Sequence, residues 1–382
     1  MINKELLEKF EGKYLGNEAN LVIQDAITNV GINEASLRKE VVKKHEFVFS
    51  DETKKGEITN QKRSGRCWMF SALNVLRVNT MEKLNVETFE FSQAYLQFFD
   101  KMEKANTYLE YIIETKDLPV RDRLVEHIMS IGVSDGGYWS FFVGLATKYG
   151  VVPKSVMPET FHSSNTDILN EVLDVRLKRA ACLIRKAKTS EEISKIKDET
   201  LYQVYNICVK ALGMPPKKFT YEYRDKDKKF VRIKDVTPKE FMELYAKDDL
   251  LSKVELVADP REEHLKGRMY ELPYSCSVIE YGPSKFLNVT IDELKKVTIA
   301  SIKDGAPVWF GCDVGQSSDR KLGILDSELY NYDKTLTQLG EFSKVDRLLN
   351  YSAYMTHAMT FVGVDLDDEG KPLMWEVENS WG

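Results

Sequence analysis

The chain has 382 residues, with 54 Lys and Arg against 60 Asp and Glu, a net charge of −6. Hydrophobic residues make up 43% and charged residues 30%, an ordinary balance for a folded chain of one elaborated domain or two to three domains. No run of apolar residues is long enough to span a membrane, and the acidic balance argues against a broad nucleic-acid surface.

Residues 1–55 read as a helical arm. Ile2, Leu6, Leu7 and Phe10 form one apolar stripe, and Leu21, Ile23, Ala26, Ile27 and Val30 another, each at helical spacing. A third short helix is expected over 37–44. The first twenty residues are rich in Lys and Glu and lack the apolar stretch of a secretory signal, so the expected location is the cytoplasm. Cys67, Cys182, Cys208, Cys276 and Cys312 are odd in number and never at CxxC spacing, which predicts free thiols. His45, His127, His162, His264 and His357 never pair at metal-ligand spacing. No metal or other cofactor is expected.

Residues 56–164 read as a helical lobe. Ser64-Gly65 is a chain reversal, and the apolar pattern from Cys67 to about Leu84 predicts a helix buried around most of its surface. Cys67 then lies in the first turn, where unpaired amides and the helix dipole favour a thiolate. Gln61, six residues upstream, carries an amide that can share an oxyanion with the Cys67 backbone N–H. A buried structural cysteine is an equally good reading of this stretch alone. Ser92 is the expected N-cap of a second helix, and residues 122–131 form a third. Asp135-Gly136-Gly137, before an aromatic helix over 138–149, allows close backbone approach by a ligand or marks a bland turn.

Residues 165–288 read as an inserted, mostly helical subdomain. A hairpin over 219–235 turns at 224–229, and Thr237-Pro238 opens a helix as N-cap and first residue, with Glu240 completing a capping box. Residues 289–382 read as a β lobe after a helix capped by Thr290. Residues 306–312 form a strand in which Cys312 packs, and 313–350 a polar excursion. Strands over 356–365 and 372–379 pair across a turn at 367–370, so His357 and Asn379 share one hairpin.

One cysteine at a helix start, one histidine at a strand start and one asparagine at a strand end are the parts of a Cys–His–Asn nucleophilic centre. His357 would take the thiol proton, Asn379 would orient the imidazole, and Trp381 would shield their hydrogen bond. With these residues in this order, the chain resembles the papain-like cysteine peptidases. Arg66-Cys67-Trp68-Met69-Phe70, Ser134-Asp135-Gly136-Gly137, Thr356-His357-Ala358-Met359 and Asn379-Ser380-Trp381-Gly382 place it nearer the bleomycin hydrolase and aminopeptidase C branch. Cys67 and His357 are 290 residues apart, against roughly 130–150 in papain-type enzymes. The proposed insertion accounts for the surplus.

The resemblance implies an α+β, two-lobe fold and a cofactor-free cysteine aminopeptidase that removes N-terminal residues through an acyl-enzyme. It implies catalytic roles for Cys67, His357, Asn379 and Gln61. It also implies that Asp135, Gly136, Gly137, Trp68 and Ala358 bind a peptide substrate, and that the chain assembles as a hexameric ring in the cytoplasm. Nucleic acid and membrane are not expected partners. The family's sheet continues beyond Asn-Ser-Trp-Gly into further strands and a C-terminal arm, so the sequence given is expected to be a C-terminally truncated form. Two other readings stay open: an impaired, fold-retaining assembly or binding protein, and an endopeptidase.

Overall fold

The helix Cys67–Leu84 is the element on which the larger part of the chain packs. Trp68, Met69, Phe70, Leu73, Leu76 and Met81 are all buried along it, so apolar side chains leave on nearly every side, as a central helix requires. The structure, a computed structural model, describes residues 1–382. Around the central helix lie Gln93–Glu114 and Trp139–Tyr149. Two long helices, Asp167–Ile184 and Ser190–Leu212, pack on Gln93–Glu114. Leu173, Leu177, Ala180, Ala181 and Val204 carry that contact into the same core.

The starts of these elements follow the expected capping chemistry. The Ser92 side chain accepts from the Tyr95 N–H, Asp122 caps Arg123–Ile131, and Thr237 and Thr290 form capping boxes with Glu240 and Glu293. The hairpin expected over 219–235 is Phe219–Arg224 against Phe230–Val236.

The sheet of this unit is built on the strand His357–Leu366. Pro372–Glu378 pairs with it antiparallel, with Thr360 opposite Glu378, and register shifts lie between Phe361 and Gly363 and between Asp365 and Leu366. Asp51–Glu52 pairs on its other side, and Val308–Cys312 joins the same central strand. The half-buried state of Val308–Cys312 differs from the buried strand expected there. A second sheet, not foreseen in the sequence, orders Glu255–Val257, Lys285–Asn288 and Arg268–Glu271, with a parallel pair between the first two.

Contacts group Phe49–Gly311 with His357–Gly382 as one compact unit, and Met1–Val48 with Cys312–Thr356 as another. In the second unit, the helices Lys4–Leu15 and Glu18–Val30 are followed by Ile32–Ser36 and Lys39–Val42. A small core of Val41, Ile324 and Leu329 joins its two segments. The helix expected over 37–44 is shorter because Leu37 is extended and bridges to Tyr330.

Candidate active site

The loop before Cys67 is held by hydrogen bonds rather than by a conventional cap. Arg66 occupies the N-cap position without capping the helix by its side chain. Its buried guanidinium instead binds Ser64 Oγ at 2.9 Å and Gln97 Oε1 at 3.1 Å, and grips both oxygens of Glu159 at 3.0 and 2.7 Å. Within the loop, Gln61 Nε2 donates to the Ser64 carbonyl at 2.7 Å and Ser64 Oγ donates back to the Gln61 carbonyl at 2.7 Å. The Gln61 N–H donates to the Ser380 carbonyl at 2.9 Å. Asn60 and Trp381 form an antiparallel bridge, so the Gln61 loop runs beside the segment that follows Asn379.

The histidine and asparagine meet as the hairpin reading requires. His357 Nε2 lies 2.7 Å from Asn379 Oδ1. The Trp381 ring stacks on the imidazole with centroids 4.7 Å apart and planes at 28°. The next residue reaches Cys67: the Ala358 N–H donates to Cys67 Sγ at 3.5 Å. Ser71, one turn along the helix, donates to the Met359 carbonyl at 2.6 Å and exchanges a hydrogen bond with Thr360. Helix start and strand start are thereby locked together.

The electrostatics of Cys67 differ from the expectation of a thiolate made by the helix start alone. Burial pushes the thiol up and the Asp135 charge adds to this; the N–H groups of Ala358, Trp68 and Cys67 itself pull it down without prevailing. Desolvation disfavours an isolated thiolate more than helix-end amides favour it. Ionisation of Cys67 therefore needs a proton acceptor in the same site. Burial also pushes Cys208 up to about 12, and Cys276 and Cys312 up to about 11. All five cysteines are free.

Asp135 and Trp68 sit differently from side chains that would line an open cleft. Trp68 is 1% exposed, and its Nε1 donates to the Asp135 carbonyl at 2.6 Å. The Asp135 carboxylate accepts from the Gly65 N–H at 2.9 Å, Lys101 Nζ at 2.7 Å, Asn170 Nδ2 at 3.0 Å and the Thr166 hydroxyl. Burial opposes its charge, but the Lys101 ammonium and these hydrogen bonds outweigh it and hold the carboxyl well below the usual range. Both side chains shape backbone: Asp135 braces the loop before Cys67, and a Cβ on Gly137 would lie 2.5 Å from the Trp68 indole. Gly136 has no atom within 4 Å of where a Cβ would be.

Sequence reasoning missed a buried polar stripe on the Cys67–Leu84 helix. Ser71, Asn74 and Arg77 recur every third residue and face the strands. Asn74 donates to Thr59 Oγ1 at 3.2 Å, and Thr59 donates to Ser380 Oγ at 3.1 Å. Arg77 binds Glu378 Oε1 at 2.9 Å, beside Asn379, and the carbonyl of Glu57 at 2.9 Å. The i, i+3 recurrence of polar residues in an otherwise apolar helix was the available signal.

The Peptidase C1-like family matches residues 1–382. Aminopeptidase C of Listeria monocytogenes is 40% identical over 99% of this chain and 86% of its own length. Human bleomycin hydrolase is 37% identical over 100% of this chain and 87% of its own. The crystal structure of PepW from Lactobacillus rhamnosis superposes with a TM-score of 0.97 at 38% identity, covering 100% of this chain and 86% of that one.

Proposed function

The chain belongs to the Peptidase C1-like family and is a cysteine peptidase with an α+β, papain-like fold; from that premise we propose how its site works and what it cuts. The reading is a cysteine aminopeptidase acting on peptides. The observation that carries the mechanism is the His357–Asn379 contact at 2.7 Å on a strand whose next residue donates to Cys67 Sγ.

With Nε2 turned to Asn379, Nδ1 is the ring nitrogen assigned to the thiol. His357 takes the Cys67 proton, which meets the burial cost of a thiolate by pairing it with an imidazolium. The sulfur attacks the scissile carbonyl. The oxyanion is received by the Cys67 N–H and by the second N–H of the Gln61 amide, whose first is fixed on Ser64. The imidazolium gives its proton to the leaving amine as the C–N bond breaks. Water, deprotonated by His357, then cleaves the thioester and restores the thiol. Trp381, stacked on the imidazole, keeps water from the His357–Asn379 bond.

The finer reading extends to a hexameric ring and a cytoplasmic location, both resting on the resemblance drawn from the sequence. No helix is long and apolar enough to cross a membrane. The test is cleavage of an aminoacyl fluorogenic peptide against its N-blocked counterpart, with Cys67→Ala as control. Preference for the free amine, abolished by the substitution, is the expected result. Preferred cleavage of the blocked peptide would replace aminopeptidase by endopeptidase.

A further inference from the structure

Two lysines lie buried beneath the Asp135-Gly136-Gly137 segment, where the reaction above has no use for them. Lys101 is 0% exposed and Lys104 7%. They stand one turn apart on the helix Gln93–Glu114 and therefore share a face. Lys101 Nζ donates to the Val133 carbonyl at 3.2 Å, the Ser134 carbonyl at 3.3 Å and Asp135 Oδ1 at 2.7 Å. Lys104 Nζ donates to the Ser134 carbonyl at 3.0 Å, the Gly136 carbonyl at 2.6 Å and Asp100 Oδ2 at 2.9 Å. Each ammonium thus has an acceptor for all three of its hydrogens. Five of these six bonds end on residues 133–136.

Such a pair is an expensive way to hold a loop. Two ammonium groups and the carboxylates of Asp100 and Asp135 are all removed from water; burial, with the neighbouring Lys101 and Asp135 charges respectively adding to it, drives Lys104 down and Asp100 up despite their pairing. Apolar packing would stabilise the loop at least as well. What buried cations provide instead is direction, since each carbonyl must face its ammonium. Lys104 also lies 5.3 Å from the centroid of the Trp68 ring, the ring that packs on Gly137 beside the nucleophile.

We propose that Lys104, seconded by Lys101, is a positioning residue for peptide binding, fixing the plane of the Gly136–Gly137 peptide. The chain has no cis peptide bonds, and in a trans unit the C=O and N–H point in opposite directions. With the Gly136 carbonyl drawn onto Lys104, the Gly137 N–H faces away from the helix as a backbone donor. The open space at Gly136 gives an extended peptide room to approach. The proposal rests on the peptidase reading of the site and adds to it the group that orients its substrate-facing backbone.

Lys104→Met tests this, together with Lys104→Met/Asp100→Asn, which leaves no buried carboxylate without its partner. For the fluorogenic peptide, KM is expected to rise about tenfold or more with kcat within about threefold. The rate of Cys67 alkylation by iodoacetamide, which needs no peptide contact, stays unchanged. An unchanged KM in a folded variant, or a fall in alkylation that parallels the loss of peptide cleavage, would overturn the proposal. A measurement on the unaltered protein stands beside these: a peptidyl chloromethyl ketone, joined to Cys67 by displacement of chloride, should slow amide exchange across 134–138. A thioether adduct without that protection sinks the lysine proposal, whereas no adduct at Cys67 sinks the peptidase reading instead.

Discussion

Gln61 serves two purposes with one side chain. Its amide nitrogen ties the loop to the Ser64 carbonyl, while its Oε1 is buried without a hydrogen-bond partner. A buried amide oxygen left unpaired is destabilising, and the proposed mechanism gives a reason for its retention, a nitrogen held for the oxyanion rather than optimised for stability. Gln61→Ala is therefore expected to lower kcat by roughly 10²–10³-fold, the effect of losing one oxyanion donor, with KM little changed. Steady-state kinetics on the aminoacyl substrate measure this. A fall in KM-dependent binding with kcat intact would remove Gln61 from the oxyanion. In the sequence Gln61 was visible only through its order relative to Cys67, because its partner Ser64 sits in a loop with no periodicity to read.

At the scale of elements, the hairpin and helix starts were legible because their signals are local. Ser92, Thr237 and Thr290 act on amides within their own first turn, and His357 and Asn379 flank one turn. The sheet of Glu255–Val257, Lys285–Asn288 and Arg268–Glu271 was not legible. Its strands are short, and its parallel pair sets Glu255 against Phe286 across a long loop. The face on which the Cys67–Leu84 helix meets the strands was also hidden, since Arg77 and Glu378 are paired only in space. Their side chains are 2% and 5% exposed, and burial pushes the Glu378 carboxyl up despite Arg77. Glu378→Ala, which leaves the guanidinium buried and unpaired, is expected to cost about 3–5 kcal/mol. Arg77→Met/Glu378→Gln should recover much of that. Urea unfolding of Arg77→Met, Glu378→Gln and the double gives the coupling; additive losses would mean that the pair does not join helix to strand.

At the scale of the whole molecule, the grouping of Met1–Val48 with Cys312–Thr356 was beyond a linear reading. Nothing in the spacing of the arm or of the polar excursion pairs one with the other, and what unites them is a core of three buried residues contributed by both. Leu329 is 0% exposed there, and its carbonyl accepts from the Arg38 N–H at 2.9 Å. Arg38 in turn pairs with Glu328 at 2.8 Å, and His45 Nε2 lies 3.0 Å from Asp326 Oδ2. The Arg38–Glu328 pair and the His45–Asp326 contact are partly exposed and contribute little each, so the apolar contact is the main tie between the two segments. Leu329→Ala removes most of that contact and is expected to destabilise this unit by about 2–5 kcal/mol. Leu37, Val42 and Tyr330 are the partly buried apolar neighbours of this core, and how far they close the gap sets where in that range the loss falls. Amide exchange across 36–42 should accelerate by two or more orders of magnitude, because every 1.4 kcal/mol is about a factor of ten in the opening equilibrium. Exchange in the Cys67–Leu84 helix, which belongs to the other unit's core, should keep its rate. Equal acceleration in both would show that the two units unfold as one, and no acceleration at 36–42 would show that Leu329 does not hold the segments together.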